Sequence, residues 1–206
     1  MYIPEHFNQE NPEELRALMA EYPLAALVSS GPEGMTANHI PLLFDPNPAP
    51  LGTLRGHLAR SNPQWKQFPA DVLAIFQGPQ AYISPNWYPT KLEHGRVVPT
   101  WNYAAVHVRG EVSIHPEPEW LRAFLDRLTA TNEASQLKPW MPSDAPEAYI
   151  DGLLKGIVGI EIAVTRIEGK WKTSQNQPEA NRKGAADGLE AQSGLGNAMA
   201  SLIRKL

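Results

Sequence analysis

An α+β domain built on an antiparallel barrel is what the 206-residue sequence predicts. Three observations carry that expectation. Segments with period-two alternation stand early and late in the chain, segments with helical periodicity lie between them, and 20 prolines mark the junctions between short elements. The alternation is clearest over Val97 to Ile114, VVPTWNYAAVHVRGEVSI. Asn102, Ala104, Val106, Val108, Gly110, Val112 and Ile114 share one parity; Trp101, Tyr103, Ala105, His107, Arg109 and Glu111 share the other. A strand of this length with one face apolar buries that face.

The remaining elements follow in order. Asn11 caps a helix that has Pro12 at its first position and Glu13 and Glu14 on the positive end of its dipole. Leu15, Leu18, Met19 and Tyr22 form its apolar face, and Pro23 stops it. Leu24 to Ser30 is a strand, GPEG (31 to 34) a hairpin turn, and Ala37 to Phe44 the returning strand, where Pro41 requires an edge or a bulge. The loop DPNPAPLG leads to a strand over Thr53 to Ala59, with Leu54, Gly56 and Leu58 on one face and Arg55, His57 and Ala59 on the other. Asn62 caps a short helix opening at Pro63 and ending near Phe68. Val72 to Gln77 is a strand, Gly78-Pro79 a turn, Ala81 to Ser84 an extended segment, and Pro85 to Arg96 a loop holding Trp87, Tyr88, Lys91 and His94. Beyond the long strand, Trp120, Leu121, Phe124, Leu125 and Leu128 mark an amphipathic helix. Ala145 to Leu154 is a second helix, and Gly159 to Lys170 the last long strand. The whole is read as a single domain with a helical extension from about residue 178, broken at Ser193-Gly194.

Composition narrows the function. The net charge of −4 gives no global field for nucleic acid. The chain has no cysteine, hence no disulfide framework and no thiolate nucleophile or metal ligand. The histidines lack the short spacing of a helical zinc pair, so no metal is expected. The first residues lack the pattern of a signal peptide, and no apolar run nears the roughly 18 residues that span a bilayer. A cytoplasmic protein that does not enter the membrane is the expectation. GxSxG and GxGxxG are both absent.

Three stretches combine residue types that suit a flat, phosphorylated ligand. Thr100, Trp101, Asn102 and Tyr103 put two large rings beside two hydrogen-bonding groups. In HLARSNPQW, His57 and Arg60 are delivered to the start of a short helix, where free N–H groups and Arg60 favour an anion. In KWKTSQN, Lys170, Lys172, Ser174 and Asn176 share one strand parity, so cations and neutral polar groups are expected to point one way. His39 and His57 are read as hydrogen-bond donors in a polar pocket or in the core.

With MYIPEHF, ANHIPLLF, GHLARSNPQW, AYISPNWY, VVPTWNYAAVHVRGEV, IVGIEI and KWKTSQN in this order, the chain resembles the PaiB family, split-barrel FMN-binding proteins described as negative transcriptional regulators. The resemblance runs from Tyr2 to about Gly188. It implies a six-stranded antiparallel split β-barrel with peripheral helices, a homodimer, and FMN near the subunit interface. By motif, the phosphate belongs beside the turn that carries His57, Arg60, Ser61 and Asn62. VPTWNY supplies Thr100, Trp101, Asn102 and Tyr103 to the isoalloxazine or its dimer neighbour, and KxSQN supplies Lys172, Ser174, Gln175 and Asn176; His39 joins the set. The wider superfamily includes flavin reductases and pyridoxamine-phosphate oxidases, so a flavin-dependent oxidoreductase is the alternative to a regulator or a redox or metabolite sensor. Related haem-degrading barrels ligate iron through a C-terminal histidine, and here no histidine follows His115.

DNA is a further partner implied by the regulator description. The chain is acidic, and its basic spots, around Lys170, Lys172, Arg182, Lys183, Arg204 and Lys205, are small. Binding to a promoter fragment is therefore expected to be micromolar and salt-sensitive, with a log–log slope near about −0.9 per phosphate contacted, and indifferent to scrambling the sequence. A salt titration on both fragments checks this; nanomolar affinity with a preference of about a thousandfold would contradict it.

Overall fold

A computed structural model describes residues 1–32, 34–48, 50–192 and 196–206. Eight strands are present among them: β1 (Asn8–Gln9), β2 (Leu24–Gly31), β3 (Gly34–Pro41), β4 (Leu43–Asp45), β5 (Thr53–Ala59), β6 (Ala70–Ile83), β7 (Thr100–His115) and β8 (Ile157–Lys172). Six α-helices accompany them: α1 (Pro12–Glu21), α2 (Thr90–His94), α3 (Pro118–Glu133), α4 (Glu147–Leu154), α5 (Glu179–Ala191) and α6 (Gly196–Arg204). The strands form one sheet in the order β3-β2-β6-β7-β8-β5-β4, with β1 attached to β8. The pairs β1–β8, β2–β3, β2–β6, β4–β5 and β5–β8 are antiparallel. The α+β split-barrel class read from the sequence stands, with eight strands in place of six.

The local capping rules hold. Asn11 Oδ1 accepts a hydrogen bond from the Glu13 N–H at 2.9 Å, and Asn62 Oδ1 from the Gln64 N–H at 3.0 Å. Pro41 closes β3, which lies at the end of the strand order, where a missing N–H is tolerated.

Three expectations need correction. Gly78-Pro79 is not a turn: β6 runs unbroken from Ala70 to Ile83. Its buried residues are Val72, Ala74, Phe76 and Gly78, then Ala81 and Ile83, so the inward parity slips by one across Pro79, as at a bulge. A Cβ on Gly78 would lie 2.7 Å from Leu18 Cδ1 and 3.2 Å from the Ala104 carbonyl oxygen, so glycine is required by close approach. Second, the loop from Pro85 to Arg96 contains a 3₁₀ turn over Pro85–Trp87 and the helix α2. Third, the strand expected over Ala37 to Phe44 is divided at Leu42, whose N–H leaves the sheet to donate to the Pro23 carbonyl at 2.9 Å. Glu33 of the GPEG turn, Ala49 of the proline-rich loop, and the expected helix break at Ser193-Gly194 lie outside the described residues.

The contacts divide the chain into two compact units, and β6, β7 and β8 contribute residues to both. The first comprises Met1–Glu21, Gln77–His107 and Glu168–Leu206. Its core gathers Ile83, Tyr88, Ala185, Ala186, Leu189, Met199 and Ile203, so α5 and α6 of the C-terminal extension bury their apolar faces here. The second comprises Tyr22–Phe76 and Val108–Ile167. There β5 pairs with β8 so that Leu54 stands opposite Ile162 and Leu58 opposite Val158, all buried. Leu121 of α3 meets Ile150 and Leu154 of α4, with Trp120, Leu125 and Ile157 packed around them.

Within this second unit the seam between β7 and β8 tolerates no side chain at Gly110. A Cβ there would lie 2.3 Å from the Ala163 carbonyl oxygen and 2.6 Å from Ile162 Cγ2. Because the first of these is backbone, Gly110→Ala is expected to lower stability by about 1–3 kcal/mol, read as a drop in the urea midpoint at unchanged slope.

Candidate functional site

Eight of the thirteen residues that the resemblance names, residues 100–103, 172 and 174–176, belong to the first unit, and four of them pair there by side-chain hydrogen bonds. Asn102 lies on the buried parity of β7 and is fully buried. Its Nδ2 donates to Ser174 Oγ at 2.8 Å. Ser174, just past the end of β8, has φ of 71°, a left-handed conformation unusual for a residue with a side chain. Such backbone costs on the order of 1 kcal/mol and persists where its surroundings fix it. Two residues earlier in each segment, Lys172 Nζ donates to Thr100 Oγ1. Gln175 closes the turn after β8, accepting from the Thr173 N–H at 2.8 Å and donating to the Trp171 carbonyl at 2.6 Å.

Two polar atoms of this cluster, Asn102 Oδ1 and the Tyr88 hydroxyl, are buried without a hydrogen-bond partner among the described residues. Burial pushes the Tyr88 phenol up; Ser174 lies close enough to offset part of that, without a hydrogen bond of acceptable geometry. A buried polar atom left unmet costs about 1–3 kcal/mol, so two near one hydroxyl make this cluster a candidate for receiving a ligand's polar edge. Tyr88 lies in a stretch with no periodicity, and only its position between Pro85 and Pro89 hinted that it is held rigidly. Asn181 of α5 is a second such residue: it is buried and joins Thr90 and Gln177 by side-chain hydrogen bonds, tying the extension to the turn after β8.

The expected common direction of Lys170, Lys172, Ser174 and Asn176 fails. Strand alternation ends at Lys172, and the left-handed conformation of Ser174 re-aims the residues after it. Lys170 instead donates to the Tyr2 carbonyl at 3.0 Å and sits over the Tyr103 ring at 5.3 Å. Asn176 is exposed. Trp101 is 57 % exposed and packs edge-on against Tyr82, itself 47 % exposed, with ring centroids 6.0 Å apart.

His39, His57, Arg60, Ser61 and Asn62 belong to the second unit. The strand-to-helix turn there is satisfied internally. Asn62 caps its own helix. Arg60 Nε donates to the Lys155 carbonyl at 2.9 Å and Nη2 to the Ile157 carbonyl at 3.1 Å, so its guanidinium covers the C-terminal end of α4. His39 and Ser61 are exposed. His57 packs edge-on against Phe124 of α3, centroids 5.8 Å apart, and its Nδ1 is buried without a partner. Among the described residues no group of three His, Asp or Glu side chains is arranged to hold a metal ion, and no helix is long and apolar enough to cross a membrane.

Residues 1–166 match the family model described as "Putative FMN-binding domain". The chain belongs to that family. Within it, the chain is 35 % identical to Protease synthase and sporulation protein PAI 2 of Bacillus subtilis, over 92 % of this chain and 89 % of that protein, and the PaiB resemblance stands on this relative. It is 32 % identical to Uncharacterized protein AN0679 of Emericella nidulans, over 96 % of this chain and 89 % of the other. Among solved structures, the FAD and heme binding protein from Mycobacterium smegmatis is similar in fold, with a TM-score of 0.57 at 13 % identity, over 80 % of this chain and 73 % of that one. The family model ends before the KWKTSQN stretch, so Ser174 and Lys172 enter the candidate site on geometry.

Burial holds the pKa of His57 below its ordinary value. The unfolded chain therefore binds more protons than the folded one as pH falls below about 6.5, and stability declines there. His57→Gln, which does not titrate, is expected to lose less stability than the wild type between about pH 7.5 and about pH 5.5. Urea midpoints for both proteins at both pH values provide the check; an equal loss would show that His57 does not contribute.

Proposed function

We propose that this chain is an FMN-binding protein of PaiB type, a homodimer that senses redox or metabolite state through its flavin and acts as a negative regulator. The observation that carries the flavin reading is the buried, unpartnered pair Asn102 Oδ1 and Tyr88 hydroxyl, both on residues that neighbour Ser174. An isoalloxazine edge alternates acceptors with an N–H donor. A carboxamide oxygen and a phenol that lack partners fit such an edge. Thr100, Asn102, Lys172 and Ser174 with Tyr88 are the groups that would hold it. Lys172 is the half-buried cation of this set and supplies charge complementarity to an anionic ligand. When bound, FMN supplies the electron chemistry, and the chain supplies placement and electrostatics.

The exposed pair Tyr82 and Trp101 supports the homodimer, because aromatic residues are concentrated in the buried centres of subunit interfaces. The acidic net charge argues that any direct hold of the protein on DNA is weak.

Titration of the protein with FMN, followed by flavin fluorescence, tests this reading. Asn102→Ala and Lys172→Ala are each expected to weaken FMN by about tenfold or more. Arg60→Ala, whose guanidinium is held by backbone carbonyls, is expected to change affinity by less than about threefold. Failure of the wild type to bind FMN, or a larger effect at Arg60 than at Lys172, would move the flavin site away from this cluster. Rapid bleaching of the bound flavin with sustained turnover of NADH or NADPH would favour an oxidoreductase over a sensor.

A further inference from the structure

We propose that the second unit carries a separate binding pocket for a small neutral aromatic molecule bearing one carbonyl-type acceptor, with His57 as its polar anchor. A cavity of about 320 Å³ opens between β5, α3 and α4, lined by His57, Leu125, Trp140, Ile150, Leu153 and Ile157. Its size lies at the lower end of small-molecule sites, and its pattern, mostly apolar walls with a few polar groups, is theirs.

The anchor among them is His57. The alternation of β5 turns Leu54, Gly56 and Leu58 into the core and sends Arg55 and His57 to the other face, which α3 covers. Two charges, half-buried Arg122 and exposed Asp126, stand at the wall beside the Thr129 hydroxyl. Arg122 is paired with Asp151 of α4. Arg122 and Asp151 offset each other, and the charge left at the wall, Asp126, repels an anionic ligand; the mostly apolar lining favours a neutral one. The imidazole is itself neutral, because burial disfavours its charged form. Its Nδ1 is buried and unpartnered. An orphaned acceptor is tolerated better than an orphaned N–H, which puts the ring proton on Nε2 and makes that nitrogen a donor. The ligand accordingly needs an acceptor, and the aliphatic and indole walls take an aromatic ring. For a sensor, this is a site at which a metabolite can act without touching the residues that would hold the flavin.

The test uses the full-length chain as purified, with methyl NMR of Leu125, Ile150, Leu153 and Ile157. Acetophenone, which has the ring and the acceptor, is titrated against ethylbenzene, which has the ring alone. The expected result is saturable shifts at these methyls, with acetophenone binding about tenfold tighter, and a preference that falls below about threefold in His57→Phe. If His57→Phe does not fold, the wild-type comparison decides. No saturable shift, or equal affinity for the two probes in the wild type, would overturn the proposal. So would an unchanged preference in folded His57→Phe, or methyl shifts that follow protein concentration without probe, which would mean that a second copy covers the pocket.

Discussion

The hydrogen bond from Asn102 to Ser174 is the interaction on which the rest of the first unit depends. Asn102 occupies a position on β7 that is otherwise filled by Ala104, Val106 and Val108, all fully buried. A carboxamide is tolerated there only if its polar atoms are met, and Ser174 meets one of them. The pairing fixes the register of β7, since a slip of one residue would bury Trp101 and Tyr103 and expose the carboxamide. It also fixes the left-handed turn at Ser174, and through Gln177 and Asn181 the start of α5. One side chain thus links a strand, the end of a second strand and the C-terminal extension, and its remaining oxygen has no partner among the described residues.

Features set by local chemistry were legible in the sequence. The caps at Asn11 and Asn62 need only the next two residues, and the alternation of β7 needs only its own side chains. The stretches TWNY and KWKTSQN each stood out by composition, and the structure joins them by hydrogen bonds between residues 72 apart. Features set by distant partners were not legible. Arg60 has the composition of an anion ligand, but the Lys155 and Ile157 carbonyls, 95 and 97 residues away, claim it. Gly78-Pro79 carries a turn signal, yet flanking strands carry the chain straight through. The parity of KWKTSQN broke at a serine, which gives no warning of positive φ. Tyr88 is buried by the helices of the extension, more than 90 residues later in the chain.

The two units divide the chemistry. The first unit concentrates buried amides and hydroxyls around Ser174, with a cation at Lys172. The second keeps its charges at the surface: Arg127 and Arg55 meet at Asp45, and their proximity holds that carboxyl below the usual range. Its buried polar side chains Ser29, Thr53 and Gln64 are hydrogen-bonded, and among the described residues His57 Nδ1 is its one buried side-chain polar atom without a partner. Helices α3 and α4 enter the chain between β7 and β8, and they create both the cover over β5 and the carbonyls that hold Arg60. The turn that resembles a phosphate site is thereby tied to a helical insertion, and that accounts for its closed set of hydrogen bonds.

The central claim is that the orphaned carboxamide oxygen of Asn102 receives the polar edge of the flavin. The most direct measurement is the side-chain amide resonance of Asn102, assigned by its loss in Asn102→Ala, during titration of the isotope-labelled wild type with FMN. The account predicts a saturable shift of that amide pair, in step with the ring resonances of Tyr88, at one FMN per chain. FMN that binds at that stoichiometry while leaving both sets of resonances in place would contradict it.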